Sequence, residues 1–188
     1  MTLLRKALTY TTTHKNSGPH FLTEPSRAVF LSYTSQDAEV AQRICESLRT
    51  AGIEVWFDKT ELRGGDLWDR SIRQRIRDCR LFVPVISKHS DSRHEGYFRR
   101  EWKLAVDRTH DMSERVPFLV PIVIDDTNDS RADVPERFRE VQWTRLPGGE
   151  RTPEFVERIR RLLSPAAVAA EIRRRAPAQN LHRKSDRA

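Results

Sequence analysis

The amino-acid sequence predicts a doubly wound α/β fold with five parallel strands. Short apolar runs alternate with segments of helical periodicity, as in sheets built from strand–helix units. The runs are continuously apolar rather than alternating, which is typical of strands covered on both faces. Five such units lie within residues 27–163 of the 188-residue chain, and this small size favours the strand order 2-1-3-4-5.

The first half of the pattern predicts two strands, two helices and a connecting loop. The first helix is expected to begin at Thr34 or Ser35, both good N-caps, and to stop at Gly52. The glycine pair in DKTELRGGD cannot hold a regular element, so that segment is predicted to be a loop. In chain order the elements are the strand RAVFLSY, the helix SQDAEVAQRICESLRTAG, the strand IEVWF, the loop DKTELRGGD and the helix LWDRSIRQRIRDC.

The second half predicts three more strands and three helices. Pro84 lies inside the third strand and removes one ladder donor, which is awkward for a central strand. Pro135 suits the first turn of a short helix, and Thr152 is the expected N-cap of the closing helix. In chain order the elements are the strand RLFVPVIS, the polar loop KHSDSRHEG, a helix from Tyr97 to about Thr109, the strand PFLVPIVI, the short helix VPERFREV, the edge strand QWTRL and the helix TPEFVERIRRLL.

Composition divides the chain into three predicted parts. Residues 1–26 show no sustained period and are predicted to be a disordered leader, residues 27–163 form one domain, and residues 164–188 form a basic tail or linker. The chain is 37% hydrophobic and 32% charged, and much of its net charge of +7 collects near the ends. The basic tail has no aromatic residues on which bases could stack, which argues against nucleic-acid binding.

The cysteines and apolar runs predict a cytoplasmic protein with no membrane partner. Cys45 and Cys79 both lie in helical patterns, where buried thiols are expected rather than a disulfide. No secretory apolar region follows Met1, so a reducing compartment is expected. The longest apolar runs are far shorter than the roughly 20 residues that a membrane-spanning helix needs.

The predicted strand order also places a candidate site. In the order 2-1-3-4-5 the chain reverses direction between the first and third strands, and ligands of open α/β sheets bind there, outside the carboxyl ends of the strands. Ser32, Tyr33 and Thr34 follow the first strand, and Ser87 follows the third, ahead of the helix that starts at Tyr97. The loop DKTELRGGD is expected to overhang the same edge.

The sequence lacks the motifs of several other kinds of functional site. No G-x-G-x-x-G follows the first strand, and the ends of the first and third strands lack the acidic cluster of a phospho-receiver. His89 and His94 lie in a predicted loop without cysteine partners, which favours a solvated pair over a zinc site. There is no G-x-S-x-G elbow and no Cys/His pairing, so acyl transfer has no support.

Glu101 is the carboxylate with two possible interpretations. It precedes Trp102 by one position, so it projects about 100° from it around the helix and lies on a flank, beside Tyr97. Glu101 is then either a surface carboxylate paired with Arg108, Lys103 or a neighbouring helix, or a carboxylate over a pocket. The core-facing stripe of the helix is predicted to be Phe98, Trp102, Ala105 and Val106.

Four segments together resemble a TIR (Toll/interleukin-1 receptor) domain of the bacterial kind. They are AVFLSYTSQD, GIEVWFDKTELRGGDLW, IRQRIRDCRLFVPVIS and EGYFRREWKLA, in the family's order and spacing, and the resemblance covers about residues 27–163. TIR domains are flavodoxin-like, so the fold implied by the resemblance agrees with the one read from the pattern.

The resemblance implies an NAD+ nucleosidase. Many bacterial and plant TIR domains cleave NAD at the nicotinamide–ribose bond, using a glutamate four residues beyond an aromatic residue. In this sequence these positions are Glu101 and Tyr97. The implied products are nicotinamide and ADP-ribose or a cyclic variant, with NAD+ as substrate rather than as a bound cofactor. Receptor and adaptor TIR domains are assembly modules with little catalysis, so a non-catalytic TIR adaptor or scaffold in signal transduction is the alternative.

The resemblance also implies binding residues and partners. Ser32, Tyr33, Thr34, Ser87 and Tyr97 are expected around the NAD+. Some active members carry Arg at the position of Thr34, and Arg63 or Lys59 is expected to supply that charge here. In active members a neighbouring subunit's loop completes the site, so TIR–TIR self-association through the loop from Asp58 to Trp68 is expected to activate the enzyme. The expected role is signalling or defence, with a possible sensor or effector partner.

Overall fold

The computed structural model describes residues 27–57, 66–150, 152–164 and 169, without the side chains of residues 66–68. The predicted leader, most of the predicted tail, and Lys59 and Arg63 in the predicted loop lie outside the described residues. No helix within these ranges is both long enough and apolar enough to cross a membrane.

The described residues form a five-stranded parallel sheet of order β2-β1-β3-β4-β5, so the predicted fold class and strand order are confirmed. Strand β3 is the longest and lies in the centre, while β2 and β5 are the edges. The strands are β1 (Val29–Ser32), β2 (Val55–Trp56), β3 (Leu81–Ile86), β4 (Ile122–Val123) and β5 (Thr144–Arg145).

Helices cover both faces of this sheet. One apolar cluster joins the sheet to α1 and α6, and a second joins its other face to α2, α4 and α5. The second cluster contains the largest fully buried side chains, Trp102, Phe82, Phe98 and Phe138. The helices are α1 (Ala38–Thr50), α2 (Asp66–Asp78), α3 (Lys88–Ser92), α4 (Tyr97–His110), α5 (Glu136–Arg139) and α6 (Pro153–Leu163).

Pro84 interrupts the hydrogen-bond ladder of the central strand β3. The Phe82 amide donates to the chain just before β4, and amides of alternate residues point to the same side of a strand. Pro84 is the next residue on that side and has no amide hydrogen. The contact with β4 therefore consists of an isolated bridge at Phe82 and Leu119, and regular pairing resumes only at Val85 and Ile122.

Two predictions about the segments that directly follow strands β1 and β3 are wrong. The polar segment after β3 is not a loop throughout, because Lys88–Ser92 form helix α3, with Ser87 and Ser90 bonding each other's backbone amides as a capping box. The Thr34 side chain caps no helix: a 3-10 turn at Ser35–Asp37 precedes α1, and the Thr34 hydroxyl bonds elsewhere.

Other local predictions are confirmed. Gly52 ends the first helical segment with a φ of +77°. The Thr152 hydroxyl caps α6 by accepting the Phe155 amide at 3.2 Å. Cys45 and Cys79 are buried, and the two do not form a disulfide.

Candidate active site

The candidate site lies where the carboxyl ends of β1 and β3 meet. Ser32 is the last residue of β1 and pairs in register with Pro84 of β3. Ser32 and Thr34 are 0% exposed and Ser87 is 1% exposed, so the hydroxyls that follow the two strands are packed inside this edge of the sheet. Buried hydroxyls need hydrogen-bond partners, and those partners define the site.

Glu101 reaches this edge from helix α4. The helix turns Phe98, Trp102, Ala105 and Thr109 into the core. Val106, also predicted for this stripe, is half-buried and packs against the same apolar cluster. Glu101, on the flank of this stripe, is half-buried.

The carboxylate of Glu101 bonds to the end of the central sheet. The Ser32 hydroxyl donates to Glu101 Oε2 at 2.5 Å, which is within the short range of hydrogen bonds to an ionised carboxylate. Arg108, one of the partners considered for Glu101, instead donates to the carbonyl oxygens of Ile76 and Cys79 at 2.7 Å. A buried hydroxyl thus fixes the orientation of Glu101.

An open cavity of about 1180 Å³ is lined by residues that lie close to this pair in the chain. This volume is above the roughly 300–1,000 Å³ of typical small-molecule sites, so a dinucleotide can be accommodated. Tyr33, which follows Ser32, and Tyr97, one helical turn before Glu101, both line the cavity. Glu101 itself is not part of the lining, and its carboxylate accepts a hydrogen bond from Ser32, which precedes the lining residue Tyr33.

The structure brings together four of the seven residues predicted for the site, namely Ser32, Tyr33, Tyr97 and Glu101. Tyr33 is 6% exposed, and its ring stacks on Phe57 with centroids 4.9 Å apart. The hydroxyls of Thr34 and Ser87 point to another group, described next. Arg63 lies outside the described residues.

Asp37 is a buried carboxylate that sequence reasoning missed. It is 3% exposed and accepts hydrogen bonds from Thr34 Oγ1 at 2.8 Å and Ser87 Oγ at 2.6 Å. His89 Nδ1 lies 2.8 Å from its other oxygen, so His89 is not the merely solvated residue predicted from sequence. Asp37 therefore ties the turn after β1 to the start of α3.

The cavity wall is rich in basic side chains that were not predicted to belong to the site. Arg100 pairs with Asp69 at 2.8 Å, and His94 lies 3.6 Å from Asp133. Within the described part of the chain, Arg93 donates to two neutral oxygens, Ser35 Oγ at 3.0 Å and Gln36 Oε1 at 3.1 Å. Because these contacts join separate segments of the chain, spacing along the sequence carried no signal for them.

A sequence model of the TIR domain family matches residues 29–163. The chain belongs to the TIR domain family. Its fold resembles that of a metazoan TIR-STING receptor from C. gigas, with a TM-score of 0.55 and 21% identity over 77% of this chain and 43% of that chain. A second structure of this receptor, in complex with 2',3'-cGAMP, gives a TM-score of 0.54 and 21% identity over 72% of this chain and 39% of that one. At this identity the likeness shows the shared fold alone.

Three curated relatives match parts of the chain, and two of them carry TIR in their names. The NAD(+) hydrolase PdTIR of Paracoccus denitrificans is 34% identical over 79 residues, which are 42% of this chain and 24% of that protein. The 2' cyclic ADP-D-ribose synthase AbTIR of Acinetobacter baumannii is 28% identical over 81 residues, covering 43% and 28%. The NAD(+) hydrolase TcpA of a Theionarchaea archaeon is 32% identical over 75 residues, covering 39% and 21%. The matched part of the chain thus spans about a quarter of the length of these relatives.

Proposed function

We propose that this protein is an NAD+ nucleosidase that cleaves the nicotinamide–ribose bond, with Glu101 as its catalytic carboxylate. The observation that carries the proposal is the half-buried Glu101 carboxylate, fixed by the Ser32 hydroxyl at the sheet's switch point beside a cavity large enough for a dinucleotide. The names of the three relatives, two NAD(+) hydrolases and one cyclic ADP-ribose synthase, support the same reaction.

The chemistry suits a fixed carboxylate. The nicotinamide nitrogen of NAD+ carries a positive charge, so when the glycosidic bond breaks its electron pair neutralises that nitrogen and no general acid is needed. The ribose is left with oxocarbenium character. A negative carboxylate at the ribose stabilises this charge most strongly in a site from which water is excluded. Attack of water on the anomeric carbon, with loss of a proton, gives ADP-ribose, and attack of a substrate hydroxyl gives a cyclic isomer.

Tyr97 is proposed to orient the leaving group. It begins α4, lines the cavity and lies one turn before Glu101, so one helix presents both the ring and the carboxylate. An aromatic face attracts a cation, which favours the positively charged nicotinamide ring over the neutral product. Tyr33, whose ring is held flat against Phe57, is proposed to form the facing wall for the substrate.

Self-association is proposed to activate the enzyme through the loop from Asp58 to Trp68. Phe57 and Asp69, which flank this loop, contact the cavity residues Tyr33 and Arg100, and these two contacts support the proposal. A head-to-tail contact of one loop with the next subunit's cavity is heterologous and extends into open filaments. A role in signalling or defence, with a sensor or effector as partner, belongs to the same proposal.

Incubation of the purified protein with NAD+, followed by chromatography, tests the reaction. The expected result is nicotinamide in equal amount to ADP-ribose or a cyclic isomer. The rate per molecule should rise with protein concentration and rise further when tagged protein is clustered on vesicles. Absence of nicotinamide under every one of these conditions would refute the nucleosidase and favour the non-catalytic adaptor. If the rate per molecule stays constant while nicotinamide is released, only the activation by self-association would be refuted, and the nucleosidase proposal would stand.

A further inference from the structure

We propose that Arg93 is the residue that binds the diphosphate of a dinucleotide in the cavity. The inference rests on the proposed function, because it assigns one part of that substrate to one wall of the same cavity. The family resemblance implied that Arg63 or Lys59, in the loop after β2, supplies this charge. Arg93 instead lies in the connection between α3 and α4 and lines the cavity directly.

The charges along the wall distinguish Arg93 from its neighbours. Arg100 and His94 each face a carboxylate, which offsets their attraction for an anion. Among the residues that the structure describes, no carboxylate lies within ion-pair distance of the Arg93 guanidinium, whose partners are the neutral Ser35 and Gln36. Glu95 also lines the cavity but is exposed, so water screens its charge. Arg93 therefore has the positive charge that is least compensated on this wall.

The geometry of the guanidinium leaves a binding edge available. Both of its described hydrogen bonds use Nη1, which holds the group over the turn that follows β1. A guanidinium has five donors, and those on Nε and Nη2 have no partner in the described ranges. These two nitrogens form the planar fork that binds two phosphate oxygens at once.

Gly96 lies beside this guanidinium at the start of α4. A Cβ atom at Gly96 would lie 3.6 Å from Arg93 Cζ, which is an ordinary contact distance, but only 2.9 Å from the Phe98 ring. The backbone at Gly96 also has a φ of +150°, which side chains rarely adopt. Glycine is therefore required by Phe98 and the backbone, and the 3.6 Å distance places the guanidinium next to the residue that precedes Tyr97.

Steady-state kinetics with Arg93→Gln test the assignment. The variant keeps a polar side chain that can still bond Ser35 but loses the charge and the fork. We expect the KM for NAD+ to rise about tenfold or more while kcat changes less than about threefold, because the lost contact is made equally in ground state and transition state. Nicotinamide riboside, which has no phosphate, should be cleaved equally by wild type and variant. Arg115→Gln removes the same charge from an exposed residue outside the cavity and should change neither constant.

A binding measurement separates this inference from the proposed reaction. Calorimetry with ADP-ribose needs no turnover and compares wild type, Arg93→Gln and Arg115→Gln after their circular dichroism has been matched. A Kd raised about tenfold or more in Arg93→Gln alone supports the diphosphate site, even if no nicotinamide is ever released. Equal affinities in the three proteins, or no binding to wild type, would overturn it, even if NAD+ is cleaved.

Discussion

Removal of the Ser32 hydroxyl tests whether Glu101 depends on the sheet for its orientation. Ser32 is 0% exposed and donates to Glu101 Oε2 at 2.5 Å, so Ser32→Ala deletes one charge-assisted hydrogen bond without exposing the site. Such a bond contributes about 1.5–3 kcal/mol. Because about 1.4 kcal/mol corresponds to a factor of ten in rate, kcat should fall about 10- to 150-fold. The KM for NAD+ should change little, since Ser32 is proposed to act only through Glu101.

A double-mutant cycle is the assay that distinguishes this role from general structural damage. If Ser32 acts through Glu101, Ser32→Ala combined with Glu101→Gln should be no slower than Glu101→Gln alone. Ser130→Ala, which removes an exposed hydroxyl bonded to Asn128, is the control and should have wild-type kinetics. Losses that add in the double variant, or a Ser32→Ala variant with unchanged kcat, would refute the reasoning.

Three further predictions concern stability, and all are measured by urea unfolding. Asp37→Ala leaves the buried hydroxyls of Thr34 and Ser87 without their acceptor, so the free energy of unfolding should fall by about 1–3 kcal/mol, and an unchanged value would contradict this buried network. Gly149→Ala should cost more than Gly148→Ala, because both have positive φ but only a Cβ at Gly149 would lie 2.5 Å from a methyl group of Val40; equal losses would contradict this packing. Burial raises the pKa of the Cys79 thiol from 9.0 to about 12, so the unfolded state loses this proton first, and stability should decline from about pH 9 towards pH 12. The free energy of unfolding of the Cys79→Ala variant should decline less steeply with pH than that of wild type. Equal slopes for the two proteins would contradict a buried thiol that resists ionisation.

The sheet and its order were predictable because they depend on local patterns. Continuous apolar runs identified the strands, and glycine or threonine at helix ends set several boundaries. Helix α3 was missed because its capping box uses Ser87 and Ser90 in a segment that otherwise reads as polar loop. The predicted β4 was too long. The apolar run PFLVPIVI covers residues 117–124, but only Ile122 and Val123 within it pair regularly.

The candidate site was predictable in outline and not in its contacts. The helical period placed Glu101 on a flank of the buried stripe, and the half-burial of this residue agrees with that position. Its partner Ser32 lies 69 residues away in sequence, and the partners of Asp37 at the start of α3, Ser87 and His89, lie 50 and 52 residues away. Arg93 is 58 residues from Ser35. Such contacts depend on how strand ends and helix starts meet in three dimensions, which a single sequence does not encode in any spacing.

The most direct test of the central claim compares nicotinamide release by wild type, Glu101→Gln and Glu114→Gln. The first substitution removes the negative charge at the site, and the second removes the same charge from an exposed loop residue. We expect Glu101→Gln to lower kcat about 100-fold or more while ADP-ribose binding is retained, and Glu114→Gln to match wild type. A Glu101→Gln protein that releases nicotinamide at the wild-type rate would show that this carboxylate does not stabilise the ribose, and the proposed mechanism would be wrong.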